Sequence, residues 1–159
     1  MDNSKVQEDF LMAMRGITST VNVISAKLND ERHAMTATSV VSLSLEPPAM
    51  IICVNKEASI HNILRKDKSF VINVLSNKQQ NLSELCSGSE EGGSRFNDEG
   101  WVTEDEIVFN SNSVSNIVCN CTAIVDHTTH SVFFGDVIEV KINNQGRALL
   151  YGSGGYLID

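Results

Sequence analysis

Apolar residues in this chain come in short runs, and nearly every run is closed by a turn signal before it is long enough for a substantial helix. Val41, Leu43 and Leu45 alternate with Ser42 and Ser44, the period of two that gives an extended strand one apolar face. Pro47-Pro48 stops that strand, because proline donates nothing to a sheet ladder. Residues 49–55 are almost continuously apolar, as are residues 70–75 apart from Asn73, and both fit strands buried on two faces. Residues 20–28 and 33–39 flank the polar turn Asn29-Asp30-Glu31-Arg32 and read as a hairpin. Later strands are expected over 107–109, 114–125, 130–142 and 149–151, with a turn at Asn143-Asn144-Gln145-Gly146. Helical spacing is confined to Val6, Phe10, Leu11 and Met14, to Ile60, Ile63 and Leu64 behind Ser59 as a cap, and to Gln79, Leu82 and Leu85. Many short strands with a few small helices predict a mainly β fold, a barrel with helical additions. The lack of regular strand–helix alternation argues against a doubly wound sheet.

The 159 residues suffice for one domain, expected over 1–159, with a real core. Twelve basic against 20 acidic residues leave a net charge of −8, which argues against a nucleic-acid partner. No apolar run approaches the roughly 18 residues of a membrane span. Met1 to Lys5 is polar and lacks a signal-peptide core, so a cytoplasmic protein is expected. GxGxxG, GxxxxGK[ST] and GxSxG are all missing. Cys53, Cys86, Cys119 and Cys121 form no CxxC pair, and His33, His61, His127 and His130 add no zinc spacing, so free buried thiols are expected and no metal. Residues 87–100 hold four glycines among serines and acids and read as a mobile surface loop, a type of loop that often serves as a lid.

Four features carry possible chemistry. Thr36-Ala37-Thr38-Ser39, followed by Ser42 and Ser44, offers hydroxyls and small side chains that let a ligand approach the backbone, although such residues also suit a solvent-facing strand. Asn55-Lys56 stands where a buried strand ends and Ser59 opens a helix. A strand end, a lysine and a helix N-terminus make a small phosphate site, or simply a turn and cap. An unpartnered buried amide costs about 1–3 kcal/mol, so Asn73 either satisfies a neighbouring loop or borders a ligand. His130-Ser131-Val132-Phe133-Phe134-Gly135 begins a strand with histidine and interrupts it with glycine, where a backbone or ligand comes close.

Taken together, Met35-Thr36-Ala37-Thr38-Ser39, Ser42-Leu43-Ser44-Leu45-Glu46-Pro47-Pro48, Phe70-Val71-Ile72-Asn73-Val74-Leu75-Ser76, Gln79 and residues 130–135 resemble the flavin reductase family. That family has an FMN-binding split β-barrel and supplies the small reductase of two-component monooxygenases. The T-A-x-S-x-x-S-x-S-x-x-P-P string is the most specific part. The resemblance implies a homodimer that binds FMN or FAD, takes hydride from NAD(P)H and supplies reduced flavin to a partner monooxygenase. It places Thr36, Ala37, Thr38 and Ser39 along the flavin ring and ribityl chain, and Asn55, Lys56 and Ser59 at the phosphate. Asn73 would border the ring, with His130, Tyr151 and Tyr156 on the nicotinamide side. The flavin carries the hydride chemistry, which fits the lack of any visible acid–base pair. The family usually has Gly-Asp where Thr128-Thr129 stand, a glycine at Ala34 and a phenylalanine at Cys86. A flavin-binding or flavin-carrier protein without efficient nicotinamide chemistry is the alternative.

Overall fold

A computed structural model describes residues 3–88 and 93–157. Helix α1 (Asn3–Arg15) leads into strands β1 (Ser19–Thr20), β2 (Asn22–Leu28), β3 (Glu31–Ala37), β4 (Val40–Leu45) and β5 (Pro48–Asn55). A 3-10 turn (Ser59–Asn62), β6 (Ser69–Val74), α2 (Gln80–Ser87) and a second 3-10 turn (Ser94–Phe96) follow. The chain continues through β7 (Trp101–Glu104), β8 (Ile107–Asn110), β9 (Ser115–His127), β10 (His130–Ile142), β11 (Leu150–Gly152) and β12 (Gly155–Leu157). None of the described helices is long and apolar enough to cross a membrane.

Seven antiparallel strands form the main sheet in the order β3-β2-β6-β9-β10-β5-β4. The sheet curls around one core of Ile24, Ile52, Val54, Phe70, Ile72 and Phe133. Ala37, from one end of the sheet, and Val40, from the other, meet the same core, which makes the sheet a barrel and bears out the mainly β expectation. A second core lies outside β2, where Val21, Val23 and Ala34 pack against Leu82 and Cys86 of α2. With both faces covered, β2 is buried along most of its length, and this erases the alternation that a half-exposed strand would show.

The hairpin pairs Asn22–Leu28 with Glu31–Ala37, and Asn29 turns it at φ 55°. Gly135 lies at a register shift in β10. A Cβ there would come within 2.7 Å of Cys119 Cβ and of the Phe70 ring. The close neighbours of this glycine are therefore two side chains rather than a ligand. Cys86, Cys119 and Cys121 are buried free thiols, while Cys53 is half-buried.

Two sequence expectations are corrected. Ser59 is no cap: the cap position is Ala58, no side chain bonds there, and the turn is only four residues long, too short for an appreciable dipole. As the sequence implied, the apolar stripe of α1 stays largely uncovered among the described residues: no α1 residue is buried and Phe10 is 64% exposed, while Leu11 and Met14 line a cleft with Tyr151 and Gly152. The described part of the 87–100 segment is pinned. Buried Arg95 donates from Nη1 to Ala34 O at 2.5 Å and from Nη2 to Gly88 O at 2.6 Å, while Trp101 Nε1 donates to Arg95 O at 3.0 Å. Residues 89–92 of that segment lie outside the described residues.

Candidate functional site

The hydroxyl-rich corner after β3 opens into a cleft of about 290 Å³ lined by Val21, Thr36, Ala37, Thr38, Ser83, Ser87, Tyr151 and Tyr156. The hairpin delivers Thr36 and Ala37, and the β11–β12 hairpin brings Tyr151 opposite Tyr156, their rings edge-to-face at 5.4 Å. Ser83 of α2 ties the two walls together. Its carbonyl accepts from Thr36 Oγ1 at 2.6 Å, and its hydroxyl lies 2.8 Å from the Tyr156 hydroxyl. An apolar floor, two aromatic rings and a rim of hydroxyls suit a flat heteroaromatic ligand carrying a polar chain.

From this cleft the backbone leads to the second group of candidates. Ser39 O accepts from Cys53 N at 3.1 Å, and Asn55 closes β5 opposite His130. Asn55 Oδ1 accepts the Glu57 amide at 2.9 Å, and Lys56 N bonds Thr129 O at 2.9 Å. The Lys56 ammonium is partly exposed and lies 3.9 Å from Asp126 Oδ2. Ser131 Oγ, fully buried, donates to Asp126 Oδ1 at 2.6 Å and lies 2.7 Å from His61 Nε2. The Ser131 hydrogen bond, then Lys56 and His61, hold the Asp126 carboxyl below its usual range. Because the single Ser131 proton goes to the carboxylate, His61 Nε2 must be the donor to Ser131. Aspartate here bonds the serine rather than the histidine, so the trio is not a hydrolytic triad.

Thr36, Ala37, Thr38, Tyr151 and Tyr156 thus meet in one cleft, and Ser39, Asn55, Lys56 and His130 extend from it through the sheet register. Exposed Ser59 follows Lys56 on the same turn. His130 does not line the tyrosine cleft; it is exposed at the start of β10, its Nδ1 2.8 Å from Thr129 Oγ1. Asn73 is 0% exposed. Its Nδ2 donates to Val23 O at 2.8 Å and Ser25 Oγ at 2.9 Å, and its Oδ1 accepts from Asn110 N at 2.8 Å and Asn116 Nδ2 at 2.9 Å. All its hydrogen-bonding capacity goes to protein, so it braces the loop after β8 and has none left for a ligand. Sequence spacing gives no sign of Ser83, His61, Asp126 or Ser131, because only tertiary folding brings them to the site.

The model of the flavin reductase like domain matches residues 14–157. The chain is 34% identical over 154 residues to the reductase component of an FADH(2)-dependent resorcinol hydroxylase from Rhizobium sp., covering 95% of this chain and 86% of that one. It is 29% identical to an FMN reductase (NADH) of Pseudomonas syringae, over 89% of this chain and 80% of that one. Among solved structures, the flavin reductase PheA2 in its native state superposes with a TM-score of 0.84 at 27% identity, covering 94% of this chain and 95% of that one. Fold, cleft and family match agree: this chain belongs to the flavin reductase like domain family.

Proposed function

We propose that the chain is an NAD(P)H-dependent flavin reductase that reduces FMN or FAD and supplies reduced flavin to a partner monooxygenase. The observation that carries this reading is the cleft joining Thr36, Ala37 and Thr38 to Tyr151 and Tyr156, in a chain similar to an FMN reductase (NADH) and to a monooxygenase reductase component. When bound, the flavin supplies the redox chemistry by accepting a hydride from the nicotinamide.

The protein's task is placement. Ala37, with no bulk beyond Cβ, lets a ring lie against the β3 backbone. Exposed Thr38 and Ser39 would offer hydroxyls to the polar chain, and backbone amides at this corner would stabilise the negative charge that develops on the reduced ring. Tyr156, anchored through Ser83, holds a flat aromatic wall for the incoming nicotinamide. Lys56 and Ser59 take the phosphate end through a charge-assisted contact. His130 stands beyond Asn55 as a contact to the nicotinamide nucleotide.

We further infer that two copies pair, as β4, β5, β9 and β10 leave an apolar face uncovered. The reading is tested by the visible spectrum of the purified protein, with released flavin identified chromatographically, and by anaerobic addition of NADH. Loss of the flavin absorbance on mixing is expected, and flavin that stays oxidised would leave only the carrier reading. His130→Ala is expected to lower kcat/KM for NAD(P)H about tenfold to a hundredfold and to change flavin affinity less than about threefold. Kinetics unchanged in that variant would make His130 a surface residue.

A further inference from the structure

The group around Lys56 holds more than a phosphate site requires. Asp126 is exposed, yet it is not free to swing away: its Oδ1 takes the proton of Ser131, a hydroxyl sealed in the protein, at 2.6 Å. Ser131 is fixed in turn by His61 at 2.7 Å, and the His61 ring packs edge-on against Phe133 of the core at 5.6 Å. The other carboxylate oxygen faces Lys56 Nζ at 3.9 Å. The protein therefore keeps a carboxylate beside the Lys56 ammonium at this strand end. This is the reverse of what a site built only for tight anion binding would do, because an incoming phosphate meets a fixed negative charge and must share its cation.

We propose that Asp126, positioned by the buried Ser131–His61 pair, is an internal competitor for Lys56 that lowers affinity for the phosphate of the flavin. Its effect is to shorten the residence of a flavin that must leave for a partner. The inference rests on the assignment of Lys56 to the phosphate, and the two can fail separately. Other titratable groups at this end are Glu57 beside Lys56 on the turn, and His127 and His130 at the β9–β10 turn; His130 is held only by exposed Thr129, at 2.8 Å, not by a buried hydroxyl as Asp126 is. Asparagine at 126 keeps an acceptor for Ser131 and removes only the charge, so Asp126→Asn separates competition from folding.

The experiment is equilibrium titration of the full chain with FMN and with riboflavin, which lacks the phosphate, for the parent, Lys56→Ala, Asp126→Asn and the double variant. Asp126→Asn is expected to tighten FMN by about twofold to fivefold, the upper part of the range for an exposed charge pair, and to leave riboflavin unchanged. The gain should shrink as ionic strength rises, and it should largely vanish in the Lys56→Ala background. Weaker FMN binding by Asp126→Asn, equal shifts for both ligands, or the full gain without Lys56 would each overturn the proposal. If Lys56→Ala affects FMN and riboflavin alike, the phosphate assignment itself falls, and the competitor role with it.

Discussion

At the scale of single residues, Asn73 shows how a polar residue in an apolar strand leaves two readings open, a neighbouring loop or a ligand, of which the hydrogen bonds show the first. The sequence requires partners for the amide, and the fold supplies four hydrogen bonds to Val23, Ser25, Asn110 and Asn116. Which partners they would be was not legible, because Asn110 and Asn116 sit 37 and 43 positions away. Asn73→Ala orphans buried donors on both, each costing about 1–3 kcal/mol. A loss of at least about 3 kcal/mol in urea unfolding is expected, and a loss under about 1 kcal/mol would show that the network re-pairs without it. The cysteines, read from spacing as free thiols, give a pH dependence of known sign. Burial pushes the thiols of Cys86 and Cys119 up to about 12, above the ordinary value they regain on unfolding. Their contribution is therefore complete below about pH 9, and it is lost as pH rises toward 12, because the unfolded chain releases protons that the native chain keeps. Stability measured at pH 10 should fall below that at pH 8, and replacing both cysteines by alanine should flatten the difference between the two.

At the scale of elements, strand positions were the most legible part of the chain. The expectation for residues 130–142 coincides with β10, and the hairpin turn falls at Asn29 as its residue types require. Alternation and turn chemistry are local properties, so the sequence displays them directly. Strand β12 was not foreseen, and β7 was hidden at the end of a glycine-rich stretch. Both are only three or four residues long, too short to show a period. Helix α1 was foreseen, and among the described residues none of its side chains is buried. The turn between β9 and β10 shows what the departure from the family pattern does. Thr128 adopts φ 48°, a left-handed conformation that glycine takes without steric cost and a β-branched residue does not. Thr128→Gly is therefore expected to raise stability by up to about 1 kcal/mol, read as a higher midpoint in thermal unfolding. A lower midpoint would mean that the threonine side chain stabilises the turn by more than its backbone strain costs.

At the scale of the whole molecule, the barrel followed from short strands, whereas the relation between its surface and a second copy did not, since that depends on which strands become neighbours. The register sets Val41 beside Ile51, Ile51 beside Phe134 and Phe134 beside Ala123. It likewise sets Cys53 beside Val132 and Val132 beside Val125. Directly opposed residues share a face, and residues two apart on a strand do as well, so these seven side chains form one apolar surface four strands wide. Val41 is 59% and Val125 52% exposed, and a continuous patch of this kind marks an interaction surface on a soluble protein. Because the face belongs to every copy, a two-fold pair can cover it with itself. The proposed flavin site borders it, since Ser39 is hydrogen-bonded to Cys53, so pairing should wall one side of that site. Sedimentation at micromolar protein is expected to give twice the 17.4 kDa of one chain. Val41→Glu together with Val125→Glu places charges at two exposed positions, where the barrel core is untouched, and should yield a folded monomer with weakened flavin binding. A parent protein that sediments at the mass of one chain would refute the pairing. A double variant that stays dimeric would move the interface to another face, with the exposed stripe of α1 the next to test.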